Sequence, residues 1–561
     1  MADEGRKRKM QRKKGANLMK NLFKKIGALL VAAVMVLSMC TAVFAETGDM
    51  KGTTPSAGDT GKVTISGVAA GDTVTLYKIV KANYNDNGFY GYSEVVDGTI
   101  ADHTTFVPTS SEISKLANNA TITGSEAGKV TATGETVEIS NLTIGSYLVK
   151  VTAGKDNITV YNPMVVTVSY VSENDQTKVL YGTVNADDNY RVGGSTAYVK
   201  SSKNTTPDKK IVDADGEIIL NGEAAGKGDA VAKGDTVNYK ITGTIPSYNS
   251  EYYTNPTYII NDTVSAGLDL ATKTQENLQS QADQAFGKGN AKVEVSGKTI
   301  KITLDSKYIL TLAAKDANKL VTDNGRKYEF TYSAVLNGTS VNFDASTNKV
   351  YVNYTNKPGD TTKSGEVTTN HYTFEFNGEV VKVDEANQKL AGAVFGLFTD
   401  KDCKTKATYA NDTSKQITAT SVETTGEINF TGLDNKVYYM KEIKTPSSKY
   451  KLNNTVYKIE FTPTFISGGK MSEYTVTVTD LSTKTAVSNT YTTDKDGTAI
   501  LKTNSEGVAP IKQITEIKNT KLGTLPSTGG MGTYLFTIIG VVVMAGAAGA
   551  FFISRRKGSE E

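Results

Sequence analysis

The sequence predicts an all-β protein, a string of β-sandwich domains set between an export signal and a C-terminal membrane span. Three observations carry this. Alternating apolar and polar runs bounded by Gly, Asn and Asp recur along the body, as in "DTVTLYKIV" (72–80), "GDTVNYKITGTI" (234–245), "KTIKITLD" (298–305) and "EYTVTVTD" (473–480). Period-two alternation of this kind marks half-buried strands and hairpins. Few stretches support a helix; residues 271–286 and 313–321 are the better candidates. Lastly, both ends of the chain are apolar runs beside basic residues.

Residues 1–25 hold ten Lys or Arg, and an apolar run follows from Ile26 to about Phe44. Val43 and Ala45 are small residues placed for cleavage before Glu46, so 1–45 reads as a signal peptide. A lipoprotein signal at Cys40 ranks below this, because Met39 is large for the preceding position. At the other end Thr533–Ser554 carries no charge and is followed by Arg555, Arg556 and Lys557. About 20 apolar residues span a bilayer, and the basic tail stays inside, so the body is expected outside the cell. Directly before the span stands "LPSTGG", Leu525 to Gly530.

Between these ends about 480 residues remain, enough for three domains of roughly 150 each. The whole chain has 62 basic and 59 acidic residues; without 1–45 and 529–561 the body keeps 49 against 55. A mildly acidic body gives nucleic-acid binding no electrostatic basis. Cys40 leaves with the signal peptide, and Cys403 alone cannot form an intramolecular disulfide. Exported sandwiches often carry disulfides, so another staple is needed. Hydrolytic and metal chemistry have little support. The two histidines, His103 and His371, read as surface or turn residues in different domains, and no metal site or cofactor motif appears. "NADDNYRVGG" (185–194) lacks the spaced ligands of a calcium loop and reads as a solvated connection.

"LPSTGG", span and basic tail together resemble the cell-wall sorting signal of Gram-positive bacteria. The resemblance implies that a sortase recognises Leu525, Pro526, Ser527, Thr528 and Gly529, cuts between Thr528 and Gly529, and passes Thr528 to an amine. The rest of the chain resembles the backbone (major) subunit of sortase-assembled pili. The fold implied is a tandem of immunoglobulin-like, collagen-adhesin A/B-type β-sandwiches. The expected organisation is 1–45 signal peptide, 46–200 N-terminal domain ending in the pilin-motif linker, 201–368 middle domain, 369–521 collagen-adhesin B-type domain, and 522–561 sorting signal. In the linker "GGSTAYVKSSKNTTPDKKIVD" (193–213), Lys200 lies where the family's accepting lysine falls, with Val199 in place of the usual Pro; Lys203 is its rival. A Thr528–Lys200 bond would join subunits head to tail into an open filament.

The same resemblance implies intramolecular Lys–Asn isopeptide bonds as the missing staple. In that chemistry burial neutralises the lysine, a buried acid shuttles protons, and folding makes attack unimolecular. In "VVKVDEANQKLAGAVFGLF" (380–398), "YYMKEIKTP" (438–446) and "TEIKNTK" (515–521), the implied trio is Lys382, Glu442 and Asn519. In the middle domain "PDKKIVD", "YIINDTVSAGLDL" and "TNKVYVNYTNKPG" imply Lys209, Asp262 and Asn348. Lys209 shares a strand face with Ile211; Lys210 and Asn353 stay open as alternatives. The first domain reads Val149–Lys150 at the acid position, so no such bond is expected there. Each bond would close a loop of nearly 140 residues, worth roughly 4–5 kcal/mol in the chain-entropy model.

The function this implies is a structural shaft subunit of a surface pilus, supporting adhesion, and not an enzyme beyond single-turnover crosslinking. Expected partners are a pilus-specific and a housekeeping sortase, identical subunits, minor pilins, peptidoglycan and a host surface ligand. The alternatives are a wall-anchored adhesin that is not polymerised, or a minor pilin.

Overall fold

A computed structural model describes residues 43–49, 53–154, 157–174, 178–314, 325–502, 511–522 and 531–557. Strands dominate, as the alternation requires, and the chain is an assembly of β-sandwich domains. It divides into two compact units, one running to Thr373 and including Thr464–Ser472, the other comprising Phe374–Pro463 and Glu473 onward.

The first unit contains two sheet systems. In the first, a nine-stranded sheet runs in the order Gly88–Glu94, Thr73–Asn85, Gly145–Thr152, Met164–Ser172, Tyr190–Tyr198, Thr60–Ser66, Thr136–Thr143. Glu126–Thr131 adds beside Thr73–Asn85, and Val43–Asp49 beside Tyr190–Tyr198. That edge strand begins three residues before the expected cleavage point at Glu46. Val63, Ile65, Leu76, Val149, Val168 and Val192 form the core. Residues 185–194 are not wholly a solvated connection: from Tyr190 the chain is a buried central strand. A helix at Ser110–Asn118, not anticipated from sequence, starts with a capping box in which Thr109 and Glu112 satisfy each other's backbone N–H groups.

The second system is a two-sheet sandwich. One sheet orders Asp208–Val212, Thr236–Pro246, Gly325–Leu336 and Leu268–Leu270; the other orders Gly228–Ala230, Val367–Tyr372, Ser346–Lys357, Tyr258–Val264, Thr299–Leu304 and Ala291–Ser296. The helix expected at 271–286 is found at Thr274–Phe286, its buried face Leu278, Ala282 and Phe286. The other helix occupies Ser306–Ala314, earlier than expected, and most of 313–321 lies outside the described residues.

Of the expected borders of the middle domain, 368 falls inside a paired strand and 201 opens one. Val367–Tyr372 pairs with Ser346–Val350, so this sheet runs past residue 368. Ser201–Thr205 pairs with Asn157–Tyr161, and Ile158 and Val160 join the middle domain's core. This ribbon from the first domain packs into the second, which is why the two share one compact unit.

In the second unit Val380–Val383 lies parallel to Thr515–Lys518, and Phe374–Phe376 pairs with Phe430–Leu433. A seven-stranded sheet has Val394–Phe398 and Tyr438–Lys444 side by side near one edge. A helix runs over Met531–Lys557. Among the described residues no helix is long and apolar enough to cross a membrane; the span expected over Thr533–Ser554 reaches beyond the side chains described there, Thr537 to Phe552.

Candidate functional site

Two clusters of buried lysine, acid and asparagine stand out, one in each unit. In the middle domain the strands Tyr258–Val264 and Ser346–Lys357 are antiparallel neighbours, Asp262 opposite Val350 and Asn348 opposite Val264. Residues two apart on a strand share a face, so Asp262 and Asn348 are diagonal neighbours on one inner face. Lys209 enters from the other sheet, opposite Ile241 on the strand Thr236–Pro246. The lysine and the asparagine are both wholly shielded from solvent.

Lys209 Nζ donates to Asp262 Oδ2 and to the Tyr332 hydroxyl at 2.7 Å. That hydroxyl donates to Asp262 Oδ1 at 2.5 Å and accepts from Asn348 Nδ2 at 2.6 Å. The ammonium lies over the Tyr239 ring, 4.8 Å from its centroid, and the Tyr239 hydroxyl meets His371 Nε2 at 2.8 Å. Burial lowers the Lys209 pKa, opposed by the Asp262 charge. Burial raises that of Asp262, opposed by Lys209. Both shifts favour an uncharged amine beside an uncharged acid, the state from which an amine can attack.

Of the residues left open, Lys210 reaches instead to the Ala225 carbonyl at the surface. Asn353 is only half-buried, and its Oδ1 takes a hydrogen bond from Asn261. The strand of Asn348 is not the domain's last, because Val367–Tyr372 follows it in the same sheet.

In the second unit Lys382 faces Ile517 across the parallel pair, and Asn519 N bonds to the Val383 carbonyl at 3.0 Å just past its end. Glu442 comes from the seven-stranded sheet, opposite Phe395. Lys382, Glu442 and Asn519 are all buried. Glu442 Oε1 accepts from Asn519 Nδ2 at 2.8 Å, and Oε2 accepts from the Asn453 N–H at 3.0 Å. Lys382 Nζ donates to the Ile517 carbonyl at 2.8 Å. Burial, opposed by Glu442, brings the Lys382 pKa down to about 8.

One feature is common to both clusters. Asn348 Oδ1 and Asn519 Oδ1 are buried and have no hydrogen-bond partner. An orphaned buried acceptor costs about 1–3 kcal/mol and marks each carbonyl as unusual for a folded interior.

Lys200 lies between the strands Tyr190–Tyr198 and Ser201–Thr205. Its carbonyl is held by the Asn162 N–H at 2.9 Å, while the residue remains partly exposed. Lys203 pairs with Thr159, its side chain outside the described residues. Leu525, Pro526, Ser527, Thr528 and Gly529 also lie outside them. The histidines differ from expectation in one case. His103 is exposed and stacks on Phe106, but His371 is buried on a strand of the middle sheet. Sequence reading also missed Tyr332 and Tyr239; each sits at an inward position of an alternating run, where tyrosine reads as core.

Three family models match along the chain: a T6 antigen Ig-like domain over residues 58–201, a prealbumin-like fold domain over 376–467, and an LPXTG cell-wall anchor motif over 517–560. The trypsin-resistant surface T6 protein of Streptococcus pyogenes serotype M6 is 28% identical over 583 residues, covering 89% of this chain and 95% of that protein. The solved T6 backbone pilin of the same serotype has a TM-score of 0.54 at 20% identity, with 84% of this chain and 100% of that one covered. The full-length major pilin SpaD of Corynebacterium diphtheriae matches with a TM-score of 0.44 at 20% identity, covering 83% and 99%. With an Ig-like antigen domain, a prealbumin-like domain and a wall anchor in that order, and a relative matched along nearly its whole length, the chain is similar to the LPXTG-anchored backbone pilins of Gram-positive bacteria.

Proposed function

We propose that this chain is the shaft subunit of a surface pilus. A sortase joins Thr528 of one copy to Lys200 of the next, and bonds Lys209–Asn348 and Lys382–Asn519 stiffen each copy from within. The observation that carries the reading is the pair of buried lysine–acid–asparagine clusters. Burying an ammonium and a carboxylate beside an orphaned amide carbonyl is costly for a fold, and two such clusters in one chain suit a reaction better than packing. In each, a neutral amine attacks the amide carbon, the acid (Asp262 or Glu442) relays the proton, and ammonia leaves.

In the middle domain the bond would tie one sheet of the sandwich to the other. In the second unit it would tie the strand Val380–Val383 to the end of Thr515–Lys518. Tension entering at Lys200 and leaving at Thr528 would then run through covalent links. The partly exposed setting of Lys200, with its backbone fixed by Asn162, fits an acceptor offered to an enzyme. The chain is a structural protein and a sortase substrate, each crosslinking centre acting once.

The test is electrophoresis of boiled, detergent-treated wall extract from cells carrying wild type or Lys200→Ala. A high-mass ladder lost in the variant supports the reading. A ladder that persists moves the acceptor, with Lys203 next. No ladder from wild type beside its own sortases removes the polymer and leaves a monomeric anchored adhesin.

A further inference from the structure

We propose that the Tyr332 hydroxyl is a catalytic proton relay in the middle-domain crosslinking reaction. The inference rests on reading Lys209, Asp262 and Asn348 as an isopeptide trio and adds a fourth reacting group to it.

The geometry is specific. One phenolic oxygen contacts all three partners: Lys209 Nζ at 2.7 Å, Asp262 Oδ1 at 2.5 Å and Asn348 Nδ2 at 2.6 Å. It accepts from the attacking nitrogen and from the departing nitrogen, and donates to the acid. Attack on an amide carries one unavoidable burden: the incoming nitrogen must lose a proton and the outgoing nitrogen must gain one. A hydroxyl within hydrogen-bond reach of both can do this in one exchange. Tyr332 is buried on the inner face of Gly325–Leu336, and its ring lies against that of Tyr239, 5.2 Å between centroids. Its position is therefore fixed by packing.

The step balances as follows. The Lys209 ammonium gives one proton to Asp262, leaving an amine and a carboxylic acid. The Nζ lone pair forms a bond to Asn348 Cγ, and the carbonyl pair moves onto Oδ1. Protonation of Asp262 loosens its hold on the phenolic hydrogen, which passes to Nδ2 as the phenolic oxygen takes a proton from Nζ. The Cγ–Nδ2 bond breaks, the carbonyl re-forms, and ammonia leaves. Tyr332 is returned as a phenol, and Asp262 keeps the proton it received.

The second unit is built otherwise. There Glu442 itself contacts the departing nitrogen at 2.8 Å, and Lys382 Nζ donates to the Ile517 carbonyl. Its reaction supplies an internal control within the same molecule.

The experiment uses chains spanning 46–521, made by brief cell-free synthesis and sampled over time. Peptide mass mapping follows each crosslink, Lys209–Asn348 and Lys382–Asn519. Tyr332→Phe keeps the ring and removes the hydroxyl. The expected result is a middle-domain rate lower by on the order of 100-fold, within the usual range for general acid–base groups, with the Lys382–Asn519 rate unchanged. Equal middle-domain rates in wild type and variant overturn the relay and leave the trio standing. Absence of the Lys209–Asn348 crosslink in wild type removes the trio, and the relay with it. Should Tyr332→Phe prevent folding, 3-fluorotyrosine at position 332 preserves the shape and changes the phenol's acidity. A changed middle-domain rate then supports the relay, and identical rates overturn it.

Discussion

Asn519 Nδ2 stands 2.8 Å from Glu442 Oε1, though 77 residues separate them along the chain. The carboxylate takes no lysine contact in that hydrogen-bond pair; it holds the amide group that would depart. Glu442→Ala should therefore stop the Lys382–Asn519 bond while leaving the middle domain's reaction intact. The intact mass of the variant 46–521 fragment should fall short of its own sequence mass by one ammonia, where wild type falls short by two. Melting of this domain should fall by an amount equivalent to about 5 kcal/mol, the chain-entropy value of a crosslink closing so long a loop.

Asn519→Ala isolates the unreacted lysine. The Lys382 pKa is about 8 in the fold against about 10.4 in an unfolded chain. Between these values the unfolded chain binds the proton and the folded one does not, so stability rises with pH across that window. The penalty is full below about pH 8 and relieved toward pH 10. Denaturant midpoints of the variant should climb over this interval; wild type, in which the proposed Lys382–Asn519 bond would make that nitrogen an amide, should lack that component. A variant with a flat profile would mean that Lys382 is not held as described.

His371 gives a second window of the same sign at lower pH. Burial, with Lys209 adding to it, brings its pKa down to about 3. On acidification from about pH 6.5 the unfolded chain takes up a proton that the folded domain refuses. The middle domain should lose stability as pH falls toward 3. His371→Gln should flatten that component of the profile in unfolding experiments.

Gly194 tests the first domain alone. A Cβ built there would sit 1.6 Å from the Lys62 carbonyl oxygen, on the strand that pairs with Thr60–Ser66. Gly194→Ala should destabilise this domain by about 1–3 kcal/mol, the usual range for overpacking, as read by proteolysis. Both crosslinks should still form, since neither lies in this domain.

Much of this architecture was legible in the chain. Period-two alternation is a local property, so the strands carrying Lys209, Asp262 and Lys382 could be read directly, and with Ile211 inward Lys209 had to face inward too. The contacts of Tyr332 and His371 were not legible, because they arise where two sheets meet. An inward tyrosine looks the same in sequence whether it touches leucine or a lysine. The domain borders were obscured for a related reason. Val367–Tyr372 and Ser201–Thr205 look like linker, and only their pairing partners, distant in sequence, make them strands of a sheet. The helix Ser110–Asn118 is short, and its signal lies in the Thr109–Glu112 cap more than in any apolar run.

The most direct measurement is the intact mass of a purified wild-type 46–521 fragment. A mass lower than the sequence mass by two ammonia molecules, with linked peptides containing Lys209 with Asn348 and Lys382 with Asn519, is the predicted result. A mass equal to that of the sequence would contradict the account, leaving the two buried clusters as ordinary polar contacts and the shaft without its internal covalent links.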